Sequence, residues 1–236
     1  MSLFITFEGG EGSGKSTQAK ILFERLRKQK KWGVTYAEEP GTTLIGRQVR
    51  EWLHSPNQPL TVIPKSNSQL PLLDSLGNHM LPAIQISADS PHAELLAFTI
   101  ARSQLVEEFI IPKLKGNGIV ICNRYADSTT AYQGYGRGLD LELIKIANNI
   151  ATQGIKPDLT VLLDILPEKG FLRKFGDIRD HFERELLEFH QRVRQGYSKL
   201  ASEEPKRFLV IDASQSKEAI ADIIWQKVSR LLHRGA

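Results

Sequence analysis

Gly9–Ser16, the string GGEGSGKS, constrains this chain more than any other stretch of similar length. Glycines at its ends let a backbone curl until several N–H groups point at one anion. The lysine and the hydroxyl residue that follow supply a reaching charge and a ligand for a hard cation. The setting agrees. Leu3 to Phe7 is a short β-rich apolar run, and 16–31 carries Ala19, Leu22, Phe23 and Leu26 at helical spacing. Strand, glycine-rich turn and helix in that order aim the positive end of a helix at bound phosphate. Gly9, Gly10, Glu11, Gly12, Ser13, Gly14, Lys15, Ser16 and Thr17 are therefore the expected contacts of ATP. Lys15 is expected to reach the β- and γ-phosphates, and Ser16 to ligate Mg²⁺. The competing reading, a glycine-rich turn with a chance lysine, does not explain the strand and helix on either side.

Further strands are predicted at Val34–Ala37, Gly118–Cys122, Leu159–Asp164 and Arg207–Ile211. The helices between them are predicted at Gly46–His54, Ala93–Leu114, Leu139–Gln153, Phe182–Ser202 and Lys217–His233. Alternation of this kind implies an α/β fold of the P-loop NTPase type, three layers α/β/α around a central parallel sheet. From Ser55 to Pro91 prolines, serines and asparagines interrupt every apolar run, so 55–91 reads as an insertion. Its Leu70, Leu72, Leu73, Leu76 and Met80 imply that part of it packs. The 236 residues suit one domain over 1–236, with that insertion and a lid at about 168–181.

The formal charge of +4 is a small excess, spread along the chain, and no nucleic-acid partner is expected. The densest basic run, Arg25 to Lys31, ends the first helix, where cations favour the helix dipole. Cys122 is the single cysteine, which excludes an internal disulfide or a cysteine-cluster metal site. No apolar stretch approaches a membrane span and the start lacks a signal core, so the expectation is a cytoplasmic protein without a membrane partner. The Asn-Lys-x-Asp string of guanine-reading switch proteins is absent.

The rest of the chain resembles the thymidylate kinase (dTMP kinase) family. The matches run in the family's order: FEGGEGSGKST, EEPGTT, ELLAFTIARSQLVEEFIIPKL, NRYADSTTAYQGYGRGLD, KPDLTVLLDI, RDHFERE and the late IDAS. They cover nearly everything outside the insertion. The resemblance implies transfer of a phosphoryl group from ATP to dTMP. Phe98 and Arg102, four apart on one helix face, would read thymine by stacking and by a guanidinium donor. Arg124, just past a buried strand, would grip the dTMP phosphate, with Thr130, Tyr132 and Gln133 around base and sugar. The same resemblance adds Glu39 and Pro40 to the acceptor site and brings Glu11 to the deoxyribose 3′-hydroxyl, with Glu183 supporting it. Because Glu11 fills the loop position where some members carry arginine, the further charge must come from the lid. Arg179 is the first candidate, then Arg173 and Lys174. A homodimer is also implied.

Four positions depart from the family's pattern. Asn123 replaces an aspartate, Glu38 an arginine, Thr42 a glycine and His181 an arginine. An asparagine keeps the hydrogen bonding of aspartate and loses its charge. A related kinase with a shifted acceptor, or a catalytically weak nucleotide-binding paralogue, is the alternative these departures raise.

Overall fold

The computed structural model describes residues 2–54, 90–173, 182 and 185–234. Five parallel strands form one sheet: β1 Leu3–Glu8, β2 Val34–Glu38, β3 Ile119–Asn123, β4 Leu159–Asp164 and β5 Phe208–Asp212, in the order β2-β3-β1-β4-β5. The helices are α1 Lys15–Lys28, α2 Leu44–His54, α3 Pro91–Leu105, α4 Ile111–Lys115, α5 Ala126–Thr129, α6 Leu141–Thr152, α7 Pro167–Arg173, α8 Leu187–Glu203 and α9 Lys217–Arg234.

Every residue of β1 and β3 is buried, which explains their unbroken apolar runs. Alternation within β1 sends Leu3, Ile5 and Phe7 to one face, where they meet Ala19, Leu22 and Leu26 of α1 and Ile220, Ile224 and Val228 of α9. Phe4 points the other way and packs with Val120 and Cys122 against Leu105, Val106 and Ile110. The three layers of the expected α/β/α architecture follow from that alternation. The chain leaves β1 toward one edge and later crosses to β4 on the other side. The crevice at the carboxyl ends of β1 and β3 is therefore the switch point where open parallel sheets bind ligands. The loop at Gly9 leaves β1 there, and Arg124 leaves β3 beside it.

The helix expected over Ala93–Leu114 starts at Pro91, capped by Ser90, and is interrupted by a wide turn over Val106–Ile110. The Ile111 N–H there reaches back five residues to Val106 O. Pro112, which follows, has no N–H to give, and the extra residue in the turn accommodates its ring. Two helices went unpredicted. Ala126–Gly136, α5 continuing into a second wide-turn segment, is rich in Ser, Thr and Gly, all poor helix formers. Packing on α8 stabilises it: the Tyr135 ring lies so close to Gly196 that a Cβ there would sit 2.7 Å from it. The other is α7. The helix predicted from Phe182 begins instead at Leu187, and Phe182 turns inward.

Arg25 lies 4.2 Å over the Trp225 ring and 3.4 Å from Asp222, which agrees with the helix-end reading of the basic run. The expected insertion lies outside the described residues except for Ser90 and Pro91. Among the described residues no helix is long and apolar enough to cross a membrane.

Candidate active site

The donor half begins with a helix start left open. Gly14, at φ 89°, precedes α1 without a side-chain cap, and the first turn of α1 contains no acidic residue. The positive end of the helix dipole is thus not neutralised by the helix's own side chains. Lys15, 6% exposed, arches over the loop, its Nζ donating to Gly10 O at 2.6 Å and Ser13 Oγ at 3.3 Å. Ser16 and Thr17 are exposed at the helix start. Gly12, at φ 68°, lies so close to Gly170 of α7 that a Cβ would fall 2.0 Å from the Gly170 carbonyl oxygen, so glycine is required for this contact. At the end of α7, Arg173 donates to Gly12 O at 3.5 Å and Ala213 O at 2.8 Å. The nearest expected lid cation therefore rests on the phosphate loop itself. Lys174, Arg179, Asp180, His181 and Glu183 lie outside the described residues.

The acceptor half meets this loop through Glu11. Arg124 sits in the left-handed region at φ 71°, and its backbone N–H donates to Phe7 O at 3.0 Å. The turn carries its guanidinium back to Glu11, with which Nη2 pairs while also donating to Tyr132 Oη at 3.0 Å. The same guanidinium stands 4.8 Å over the Tyr132 ring, and Tyr132 O–H donates to Glu11 Oε1 at 2.6 Å. Burial pushes the Tyr132 phenol well above its ordinary value, so it stays a neutral donor.

Behind this contact Arg102 is fully buried and forms a two-pronged pair with Glu39, which precedes the cis Pro40. Nη2 also donates to Thr129 Oγ1 at 2.7 Å, and Nη1 to Asn148 Oδ1 at 2.7 Å. The expected thymine reader is thus first a buried ion pair. Among the described residues, Asn148 is the acceptor on Nη1. Phe98 is 9% exposed, clustered with Val49, Trp52 and Ala101. The Phe182 ring lies 6.0 Å from it and 5.1 Å from that of Tyr132. Thr130 Oγ1 accepts from Asn148 Nδ2 at 3.1 Å. Gln133 donates to the buried Glu94 at 2.6 Å, and Arg137 spans Glu94 and Glu185.

Several residues that organise the site drew no notice in the sequence. Glu94 and Asn148 hold Gln133, Arg137 and Arg102 in place. Glu8 ends β1 fully buried, accepting from Tyr125 N–H at 2.7 Å, Ser128 Oγ at 2.6 Å and Tyr197 Oη at 2.9 Å. Burial, then the nearby charge of Asp127, raises the Glu8 carboxyl to about 7 against the pull of these hydrogen bonds. A buried carboxylate carries no local pattern. The signals were the positions of Glu8 inside the matched FEGGEGSGKST block and of Glu94 inside the matched ELLAFTIAR block.

At the head of α1 the exposed Ser16 Oγ accepts from Asn123 Nδ2 at 2.9 Å. Asn123 is 4% exposed, and among the described residues its Oδ1 has no hydrogen-bond partner. A hydroxyl oxygen and an unsatisfied carbonyl oxygen beside a phosphate cradle fit Mg²⁺, a hard cation that keeps most of its ligands as phosphate and water oxygens.

Comparison with known proteins places this geometry among relatives. The family model described as thymidylate kinase matches residues 7–63 and 74–224, so the internal segment it leaves unmatched is 64–73, narrower than the insertion expected at 55–91. A thymidylate kinase of Dehalococcoides mccartyi (strain ATCC BAA-2266 / KCTC 15142 / 195) is 42% identical over 232 residues, 98% of each chain. One from Synechococcus sp. (strain JA-2-3B'a(2-13)) is 41% identical over 96% of this chain and 94% of its own. The crystal structure of thymidylate kinase from Ehrlichia chaffeensis superposes with a TM-score of 0.67 at 30% identity, covering 96% of this chain and 98% of that one.

Proposed function

The chain belongs to the thymidylate kinase family, and we propose on that premise that it transfers the γ-phosphoryl group of ATP to dTMP, giving dTDP and ADP. One observation carries this reading. Glu11, inside the phosphate loop, is held by both Arg124 and Tyr132, so the donor cradle and the acceptor clamp share a residue. Two phosphate-binding groups that close together can align a phosphate oxygen of dTMP with the γ-phosphorus of ATP. That oxygen forms the new P–O bond as the bond to the β-phosphate oxygen breaks. No strong base is needed, because the attacking oxygen already belongs to a phosphate monoester.

Lys15 moves from its loop contacts to the β- and γ-phosphates. The backbone of Gly9–Gly14 holds the same oxygens, with Glu11 and Thr17 at the margins. Arg124 grips the acceptor phosphate, Tyr132 and Glu11 bound the sugar, and Phe98 and Arg102 take the base, with Glu39, Pro40, Thr130 and Gln133 behind them. Arg173, already on the loop, and Arg179 with Glu183 complete the lid side. When bound with the nucleotide, Mg²⁺ neutralises charge between phosphoryl oxygens, and Ser16 Oγ would ligate it.

We further take 1–236 as one domain and the protein as a cytoplasmic homodimer. Leu96 and Ile100 of α3 and Ile146 and Ile150 of α6, each more than half exposed, support a dimer through these two helices, which pack together. The test is a coupled ADP-release assay with dTMP, dUMP, dCMP, dGMP and thymidine. Turnover highest with dTMP is expected. Preference for another acceptor overturns the substrate, and no turnover with any acceptor despite ATP affinity overturns the kinase reading.

A further inference from the structure

Three departures from the family's pattern, Glu38, Thr42 and Asn123, meet at one point of the fold. Glu38 on β2 and Asn123 on β3 are register partners at the ends of adjacent strands. Thr42 holds the Glu38 backbone: Glu38 N–H donates to Thr42 Oγ1 at 2.7 Å, and Thr42 N–H donates to Glu38 O at 3.0 Å. Asn123 Nδ2 lies 3.3 Å from Glu38 Oε1 and 2.9 Å from Ser16 Oγ, so one carboxamide ties a carboxylate to the hydroxyl at the head of α1.

Among the described residues, Glu8, Glu11, Glu38 and Glu39 stand at or just after the ends of β1 and β2, and three of them are committed elsewhere. Glu8 is enclosed by Tyr125, Ser128 and Tyr197, Glu11 by Arg124 and Tyr132, and Glu39 by Arg102. Glu38 has a looser neighbour. Arg50 is 3.5 Å away with both side chains partly exposed, 47% and 31%, a solvent-screened pair looser than the three buried ones. Among the described residues the buried Asn123 Oδ1 has no donor, and the Tyr36 hydroxyl beside this carboxamide is likewise without a partner.

We propose that Glu38 and Asn123 together form the protein wall of the Mg²⁺ site. The carboxamide of Asn123 ties Glu38 to Ser16 Oγ, and Glu38 supplies, from the neighbouring strand, the negative charge that asparagine lacks. Glu38 is a positioning residue in this arrangement: it acts through Asn123 and Ser16. The inference rests on reading Gly9–Ser16 as the nucleotide cradle, and the test separates the two.

Manganese binding to the full-length protein saturated with ADP is titrated by electron paramagnetic resonance, alongside metal-free ADP binding by calorimetry. In Glu38→Gln, Mn²⁺ affinity is expected to fall about tenfold, the effect of withdrawing one charge through partly solvated protein, while metal-free ADP affinity stays within about twofold. Asn123→Asp in the Glu38→Gln background restores Mn²⁺ affinity. Asn123→Asp alone raises it, which keeps the test open if the first variant does not fold. Unchanged Mn²⁺ affinity in Glu38→Gln, or an equal loss of metal-free ADP binding, overturns the assignment and leaves Glu38 as a partner of Arg50. Failure of the unmodified protein to bind ADP at all overturns the cradle, and this inference with it.

Discussion

On the donor side, the six residues between β1 and α1 and the first two of α1 make the proposed cradle, which relies on backbone N–H groups and one lysine. On the acceptor side, Glu39, Phe98, Arg102, Arg124, Tyr132 and Gln133 come from elements scattered along the chain and meet as side chains. The donor half depends on glycines and an open helix end. The acceptor half depends on buried charges that neutralise one another, with Arg102 on Glu39 and Arg137 on Glu94. Substitution should therefore act differently in the two halves: on rate at the cradle, and on both binding and folding in the clamp.

The largest effect is expected from Lys15→Ala. Removing the phosphate loop's own charge on the transferred group should lower kcat by about 10²–10³-fold with little change in Tm. A near-normal kcat would contradict the donor assignment. Arg124→Ala should cut kcat/KM for dTMP by about 30- to 100-fold, mostly through KM, since a charged donor to phosphate is lost. Equal losses for ATP and dTMP would erase the distinction between the halves.

Stability sharpens the contrast. Glu39→Gln leaves the Arg102 charge buried with a weakened partner, a change that costs about 3–5 kcal/mol in comparable cases and should lower Tm by about 10 °C. Thr17→Ala, exposed beside the cradle, should leave Tm within about 2 °C. Calorimetry on both variants decides whether folding energy is concentrated on the acceptor side.

The smallest effect concerns pH. The folded Glu8 carboxyl is raised to about 7 from an ordinary value of 4.5, so the native state holds this proton more tightly than the unfolded chain does. Its contribution is fully present below about 4.5 and is lost as pH rises through about 7. Tm should fall by a few degrees from about pH 5 to about pH 8, and Glu8→Gln should shrink that fall. An identical pH dependence in the variant would mean that Glu8 does not carry it.

What could be read in advance follows the same division. The cradle, all five strands and the helices α1, α2, α6 and α9 showed themselves because each depends on a local period or turn. Boundaries moved where neighbours intervened, as at Leu187, where Phe182 leaves the helix to pack on Tyr132. The segment Ala126–Gly136 was hidden because its composition argues against a helix, and packing on α8 overrides that preference. Arg102, Arg124 and Tyr132 were found through the family resemblance, whereas Glu8, Glu94 and Asn148, which orient the site, were not.

By itself the sequence determined the phosphate loop, the alternation of strands and helices and the parallel sheet they imply, because backbone conformation and apolar periodicity are properties of neighbouring residues. Only the tertiary structure decided which charges pair: Glu39 with Arg102, Glu11 with Arg124, Glu38 toward Asn123 and Ser16. These pairings join residues far apart in the chain. A charge removed from water is stabilised by whatever the fold brings within hydrogen-bond reach, and sequence distance has no part in that energy.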